Sequence, residues 1–108
     1  MTEIKVAHYL KVKRSKPDYI AAVEALGQAV KQGPLAEKTV QLLQLAGAAA
    51  IRSEGAVHSH ARRALEAGAG REEIRQSLIV LTSTIGFPGV MAALAWADEV
   101  IDGNRDKA

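Results

Sequence analysis

Residues that break helices divide this chain into segments, and the positions of these breaks constrain its fold more than any other feature of the sequence. Gly33–Pro34, Gly68 and the GFP sequence at 86–88 interrupt stretches in which apolar residues recur every three or four positions. Such spacing is typical of amphipathic helices, whose ends favour Gly and Pro. We therefore expect an all-α fold, a single domain of about five main helices. The predicted helices cover residues 17–33, 35–52, 53–67, 71–85 and 88–103.

The central segment of the chain is its most apolar part. The sequence LLQLAGAAA at 42–50 places Leu and Ala on more than one face of the second predicted helix. A helix that is apolar on most faces is usually buried, so we expect this helix to be central and buried nearly all round. The chain has only four aromatic residues, which favours closely packed helices built on small side chains.

Residues 1–15 form an N-terminal arm that precedes the predicted helical domain at 16–108. The arm alternates enough to be a short strand, but no other segment offers that strand a partner. Its basic sequence KVKRSK at 11–16 is a possible phosphate-binding patch. Because no aromatic residues are interleaved with these charges and the net charge is only +2, we interpret the sequence as a solvated arm and expect no nucleic-acid partner.

The absence of cysteine from the chain excludes disulfides and thiol redox chemistry carried by this chain itself. The N-terminus has no apolar run suited to a signal peptide, and the apolar stretch at 40–51 is too short to span a bilayer. We therefore expect a cytoplasmic protein with no membrane association, and we expect no cofactor.

Most of the polar chemistry lies in the third predicted helix. At helical spacing Glu54, His58 and Arg62 share one side, which predicts a solvated ladder of charges with His58 facing outward. His60 lies on the apolar side, near Gln41 or Gln44 of the central helix. It is either a buried histidine satisfied by a backbone carbonyl or one of these glutamines, or a general acid/base.

The two histidines of this helix do not predict a metal site. His58 and His60 are two positions apart, so on a helix they point away from each other. A zinc site needs three or four suitably spaced ligands, and the remaining histidine, His8, lies in the N-terminal arm. We therefore expect no bound metal.

Several motifs occur together in an order that is informative about the family. A helix start is followed by a motif ending in His60, then by RRALEAGAGREEI at 62–74, by GFP at 86–88 and by ALAWADEVI at 93–101. In these features the chain resembles the carboxymuconolactone decarboxylase and alkylhydroperoxidase D-like superfamily, over about residues 34–101. The resemblance implies the helical fold of that superfamily and a homo-oligomer, either a trimer or a hexamer of paired trimers.

The peroxidase branch of the superfamily carries Cys-x-x-Cys-x-x-x-His, with a glutamate twelve residues before the first cysteine. Aligned on the histidine, this motif places Ser53 and Ala56 at the cysteine positions, His60 at the histidine and Gln41 at the glutamate. The chain then lacks the thiolate that attacks a peroxide. We expect no peroxidase turnover.

The decarboxylase branch, similar to Arg-Glu-His-Glu-x-x-x-His, matches this chain at Glu54 and His60, whereas Gly55 and Ala56 replace the residues between. The resemblance implies acid/base chemistry on a small organic acid, either decarboxylation or isomerisation. We expect His60 as the catalytic acid/base and Glu54 as its helper. Gln41, Ser53 and Arg63 are the expected substrate-binding residues, with Arg52 and Arg62 as further candidates for holding an anion. The alternative is a non-catalytic oligomeric scaffold that keeps the fold without the chemistry.

Overall fold

Helices make up all the regular secondary structure of residues 2–107. The computed structural model describes the backbone of these residues and the side chains of 6–103. In chain order the helices are α1 (Thr2–Ser15), α2 (Pro17–Ala29), α3 (Glu37–Ala50), α4 (Glu54–Glu66), α5 (Arg71–Ile79), α6 (Thr82–Ile85) and α7 (Phe87–Lys107). The all-α prediction is confirmed, and the five predicted helices correspond to α2, α3, α4, α5 with α6, and α7.

The chain divides into two compact units, Met1–Leu35 and Ala36–Ala108. The first unit is a pair of helices. Its α1 covers the segment for which the sequence left a strand open, and α2 begins with Pro17 in its first turn, a position at which the missing N–H of proline is harmless. The proposed boundary between an arm at 1–15 and a domain at 16–108 stays a prediction.

A polar contact joins the two helices of the first unit. The Tyr9 hydroxyl of α1 donates to the Glu24 carboxylate of α2, and Lys13 lies 3.3 Å from the same carboxylate. These two donors lower the pKa of Glu24, the tyrosine hydrogen bond contributing most. The contact holds the polar faces of α1 and α2 together.

The core of the second unit is built largely from alanine. Helix α4 packs against both α3 and α7, and α5 packs against α3 and α7. Small side chains at these contacts allow the helix axes to approach closely, as the alanine content predicted. The buried core residues are Leu45, Ala48, Ala49, Val57, Ala61, Ala64, Ala69, Ile74, Leu78, Ala93, Ala97 and Ile101.

The prediction that the central helix is buried nearly all round is wrong. Within the chain, α3 buries one face, but Leu43 is 56% exposed and Gly47 and Ala50 are also exposed. The helices that contact α3 within its unit leave this side uncovered. The apolar residues on several faces of α3 therefore predicted the helix correctly. They did not show how many of those faces other helices of the same chain cover.

The fourth predicted helix is interrupted between α5 and α6. Residues 79–84 are rich in β-branched side chains, which fit a helix less well. The Thr82 hydroxyl donates a hydrogen bond to the Ile79 carbonyl oxygen at 2.7 Å. Gly86 then ends α6 with a φ of 92°, a conformation that favours glycine.

Helix α7 continues past Gly103, where the sequence predicted its end, to Lys107. A glycine inside a helix costs only about 1 kcal/mol relative to alanine, which is not enough to stop it. Within the part of the chain that the structure describes, no helix has both the length and the apolarity needed to cross a membrane.

Candidate functional site

A tight turn between α3 and α4 positions the polar residues of α4. Arg52 takes a φ of 57°, in the left-handed region that non-glycine residues adopt infrequently. Ser53 follows as the N-cap of α4, and its Oγ accepts a hydrogen bond from the Ala56 N–H at 3.3 Å. This cap fixes where α4 starts and hence the direction in which each of its side chains points.

His60 points from α4 towards α3, as its position on the apolar side predicted. Its Nδ1 lies 2.9 Å from Oε1 of Gln41, and the Gln41 amide nitrogen donates to Glu37 Oε1, also at 2.9 Å. Gln41 is fully buried, His60 is half-buried and Glu37 is exposed. The three side chains form a continuous hydrogen-bonded row, which we call the Glu37–Gln41–His60 relay.

The relay sets the tautomer of the imidazole. A carboxylate only accepts hydrogen bonds, so the Gln41 amide nitrogen faces Glu37 and its carbonyl oxygen faces His60. Nδ1 of His60 must then carry the proton that it donates to this oxygen. In the neutral ring the lone pair consequently belongs to Nε2.

The prediction that His58 faces outward is wrong. His58 is only 1% exposed, and its Nε2 lies 3.1 Å from Oε2 of Glu99 on α7. The buried face of α4 is centred on Val57, Ala61 and Ala64, so His58 and His60 lie on its two flanks. Helix α7 covers the flank of His58, and α3 the flank of His60. Spacing within α4 could not reveal which of its faces a distant helix covers.

Glu54 belongs to the group around His58. The donor atoms of Glu54, His58 and Glu99 all lie within 4.8 Å of one another, and we call these three residues the Glu54–His58–Glu99 cluster. The contact described for His60 is with Gln41. The role of Glu54 as a helper of His60 stays a prediction, with this geometry giving it no direct support.

The remaining predicted site residues lie around the start and the outer face of α4. Ser53 is half-buried and uses Oγ as the helix cap, whereas Arg52, Arg62 and Arg63 are exposed. Their parts in binding a substrate or an anion stay predictions.

Sequence reasoning missed two residues of these groups. Glu37 stands one helical turn before Gln41, so an i, i+4 pairing on α3 was a signal that could have found it. Glu99 is 41 positions from His58, and no local pattern connects them.

Ion pairs tie α5 to its neighbours. Arg75 of α5 donates to Asp98 of α7 at 2.8 Å and to Glu72 at 3.0 Å, and these contacts raise the pKa of Arg75, the Asp98 hydrogen bond first. Glu73 accepts from the Gly70 N–H at 2.8 Å and from Lys38 of α3 at 3.1 Å. The pKa of Glu73 is lowered by these partners, mainly by the Gly70 hydrogen bond.

Comparison with known proteins identifies the family of this chain. The model of the carboxymuconolactone decarboxylase family matches residues 17–99. The chain belongs to this family. A solved structure in its apo form, that of a carboxymuconolactone decarboxylase family protein from Legionella pneumophila, is similar with a TM-score of 0.84 and 27% identity. That similarity covers 94% of this chain and 91% of the Legionella chain. No protein of curated function matches the sequence.

This member of the carboxymuconolactone decarboxylase family contains no cysteine. The two motif positions at which the resemblance places thiols are the cap Ser53 and the half-buried Ala56. The motif histidine, by contrast, is kept at His60, and Gln41, which stands where the motif has a glutamate, accepts its hydrogen bond. What remains at the motif is therefore an oriented imidazole without a thiol.

Proposed function

We propose that this protein carries out acid/base chemistry on a small organic acid, with His60 as the group that transfers the proton. The Glu37–Gln41–His60 relay is the observation that carries the proposal. It orients the imidazole through a buried amide and ends at an exposed carboxylate. A base held in position by a second group, which is itself oriented by a third, is the usual arrangement of a catalytic imidazole.

The half-buried setting of His60 supports catalysis over a purely structural role. Gln41 is completely buried and holds the Nδ1 side of the ring, whereas His60 keeps part of its surface exposed. A histidine that only filled a core position would be enclosed by the alanines around it. Nε2 is the ring nitrogen that would exchange a proton with a substrate.

Decarboxylation of an unsaturated lactone acid, the reaction named by the family, fits such a group. The bond to the carboxylate carbon breaks, carbon dioxide leaves, and its electron pair enters the conjugated system of the lactone. Protonated His60 then delivers its proton to carbon, and solvent restores that proton. An isomerisation needs the same residue to remove a proton from one carbon and return it to another.

The substrate is expected to be an anion held by arginine. Arg52, Arg62 and Arg63 are exposed at the start and the outer face of α4, and guanidinium groups bind carboxylates through paired hydrogen bonds. We retain Ser53 and Arg63 as substrate-binding candidates. Gln41, which the sequence predicted to bind substrate, is instead proposed as the positioning residue of His60, because its amide is fully buried and bonded to Glu37 and His60. We further propose that the protein is cytoplasmic and acts as a homotrimer or homohexamer.

The test follows carbon dioxide release from carboxymuconolactone, and exchange of carbon-bound protons with D₂O by NMR for a panel of small unsaturated acids. General acid/base groups contribute about 100- to 10,000-fold to a rate, so His60→Ala should lower the rate by at least about 100-fold. Gln41→Leu should lower it less and change its pH profile, because the ring then loses its oriented tautomer. Glu66→Gln, an exposed change on the same helix, is the control.

Two outcomes would contradict the proposal. Activity that persists in His60→Ala would remove this residue from the mechanism. Absence of activity and of proton exchange on every acid tested, with the fold intact, would favour the alternative of a non-catalytic oligomeric scaffold. Hydroperoxide consumption with dithiol donors is expected to be absent in every variant, since the chain has no thiol.

A further inference from the structure

The Glu54–His58–Glu99 cluster lies outside the Glu37–Gln41–His60 relay, and it gathers three groups that bind metals. One imidazole and two carboxylates come together from α4 and α7, their donor atoms within 4.8 Å of one another. Glu54 and His58 are four residues apart and therefore share a face of α4. Glu99 reaches the same place from α7. The expectation of no metal rested on the spacing of the three histidines, and it did not weigh carboxylates that α7 brings close to His58.

The distance between His58 and Glu99 fits shared coordination. His58 Nε2 and Glu99 Oε2 are 3.1 Å apart. For metal–ligand bonds of about 2.1 Å, two neighbouring ligand atoms are separated by about 3.0 Å in octahedral geometry and about 3.4 Å in tetrahedral geometry. His58 and Glu99 would therefore need only small side-chain adjustments to share a cation in place of the proton that now joins these two atoms.

The exposure of the three residues increases from His58 through Glu54 to Glu99, as expected of a metal site that is open to solvent on one side. His58 is buried, Glu54 is half-buried and the side chain of Glu99 is 60% exposed. The imidazole is thus fixed by the packing of α4 against α7, while the cluster opens to solvent on the side of Glu99. A site with three protein ligands and solvent access leaves positions for water or for a further ligand.

The charges also favour a divalent cation. Two carboxylates lie within 4.8 Å of each other, and a monovalent cation would compensate only one of their two negative charges. A divalent ion neutralises both. Imidazole with two carboxylates is a donor set suited to Zn²⁺ and to other divalent first-row transition metals, and it lacks the thiolates that select Cu⁺.

We propose that Glu54, His58 and Glu99 form a binding site for one divalent transition-metal ion, separate from His60. The site joins α4 to α7 and is independent of the proposed function, because it shares no residue with the Glu37–Gln41–His60 relay. Zn²⁺ is the probe chosen for its test.

The experiment is isothermal titration of the untagged, metal-free protein with Zn²⁺ at neutral pH, accompanied by thermal unfolding with and without the ion. We expect one Zn²⁺ per chain and a higher unfolding temperature in its presence, since a ligand that binds the folded state stabilises it. Loss of a residue that only hydrogen-bonds to a metal ligand lowers metal affinity by about 10- to 100-fold. Loss of a direct ligand should lower the affinity at least as much. We therefore expect His58→Gln and Glu99→Gln each to weaken Zn²⁺ binding by at least about tenfold.

Matched variants separate this site from other places where Zn²⁺ could bind. His60→Gln and His8→Gln remove the other two histidines, and Glu66→Gln removes an exposed carboxylate from α4. All three should bind Zn²⁺ as the wild type does. Glu99→Gln changes an exposed side chain and should keep the fold, so it tests the site even if His58→Gln does not fold.

The results that would overturn the proposal are specific. They are an absence of Zn²⁺ binding up to millimolar concentration, unchanged affinity in a folded Glu99→Gln, or binding that disappears in His8→Gln. Because His60→Gln should retain Zn²⁺ while losing activity, failure of the metal site and failure of the proposed chemistry give different results.

Discussion

Gln41 is the residue on which the orientation of His60 depends. Its amide is fully buried and donates to Glu37 while accepting from His60. An amide can satisfy both partners at once because it carries a donor and an acceptor. A glutamate in the same place would offer acceptors only, and would meet the carboxylate of Glu37 with a like charge.

Replacing Gln41 with leucine should destabilise the protein by about 1–3 kcal/mol, the usual cost when a buried polar group loses its hydrogen-bond partner. The His60 Nδ1–H would lose its acceptor in Gln41, and Glu37 would lose a donor. Urea unfolding followed by circular dichroism measures this change. Gln76→Leu, an exposed substitution on α5, is the control, and an equal effect in both variants would contradict the prediction.

The two histidines of α4 show how much of the site the sequence could predict. The contact of His60 with Gln41 was predictable because both residues lie on helices adjacent in the chain, whose periodicity defines their inner faces. The contact of His58 with Glu99 was not, because it depends on where α7 lies after the chain has turned back. Glu54 was assigned to His60 because both match the decarboxylase-branch motif, whereas in the structure it groups with His58 on α4 and with Glu99 on α7.

At the scale of elements, alanine governs how α4 and α7 meet. Ala61, Ala64, Ala93 and Ala97 are all completely buried. Their small side chains bring the two helices close together, and it is this approach that places Glu99 within reach of His58. A larger residue at this contact must displace a helix, because the core has no space to receive it.

Ala97→Leu should therefore destabilise the protein by about 1–3 kcal/mol through overpacking. Ala95→Leu, two residues earlier and exposed on the same helix, makes the same chemical change without entering the contact and should have little effect. The midpoints of thermal unfolding of the two variants provide the comparison. A leucine at 97 that is tolerated as well as one at 95 would show that α4 and α7 are not closely packed.

The start of α5 should make stability depend on pH through Glu73. Its hydrogen bonds to Gly70 and Lys38 lower its pKa from 4.5, so its ionised form favours the folded state. That contribution is fully present above pH 4.5, and it is lost as the pH falls through the lowered folded pKa.

Glu73→Gln should lower the unfolding temperature at pH 7, and its difference from the wild type should shrink as the pH falls below 4.5. Glu66→Gln, whose carboxylate lies on the outer side of α4, should show a smaller difference at pH 7. Thermal melts recorded from pH 7 to pH 3 test this. A wild-type advantage that is constant over the whole range would contradict the assignment.

At the scale of the whole molecule, the helical architecture was predictable and its uncovered surface was not. Periodicity and the glycine and proline breaks located the main helices, because both are local properties of the chain. Helix α1 was missed as a helix because its spacing also allowed a strand. The sequence could not show which side of α3 stays exposed, since an apolar face looks the same in sequence whether this chain or another one covers it.

That surface underlies the expectation of a homo-oligomer of three or six chains. Within the second unit, large apolar side chains remain exposed on α3, at the end of α5 and at the start of α7, and Ile51 is 76% exposed. Apolar surface of this kind commonly marks contacts between proteins. The exposed residues are Leu43, Ile51, Ile79, Val80, Phe87 and Met91.

Analytical ultracentrifugation at micromolar concentration should detect a species of three or six chains, and Leu43→Glu or Met91→Glu should shift it towards smaller species. Arg62→Glu changes an exposed residue on the polar side of α4 and should leave the assembly intact. A wild-type protein that sediments as a stable monomer of 11.5 kDa would disprove the expectation.

The position of α4 between α3 and α7 also determines how slowly this part of the chain opens. Its backbone amides lie behind close-packed alanine contacts on both sides, so water reaches them only when a larger part of the second unit opens. Their protons should therefore exchange with deuterium more slowly than those of the exposed turn at α6. His58 and His60 are carried on the same slowly opening helix, and each keeps its direction for as long as that helix stays closed.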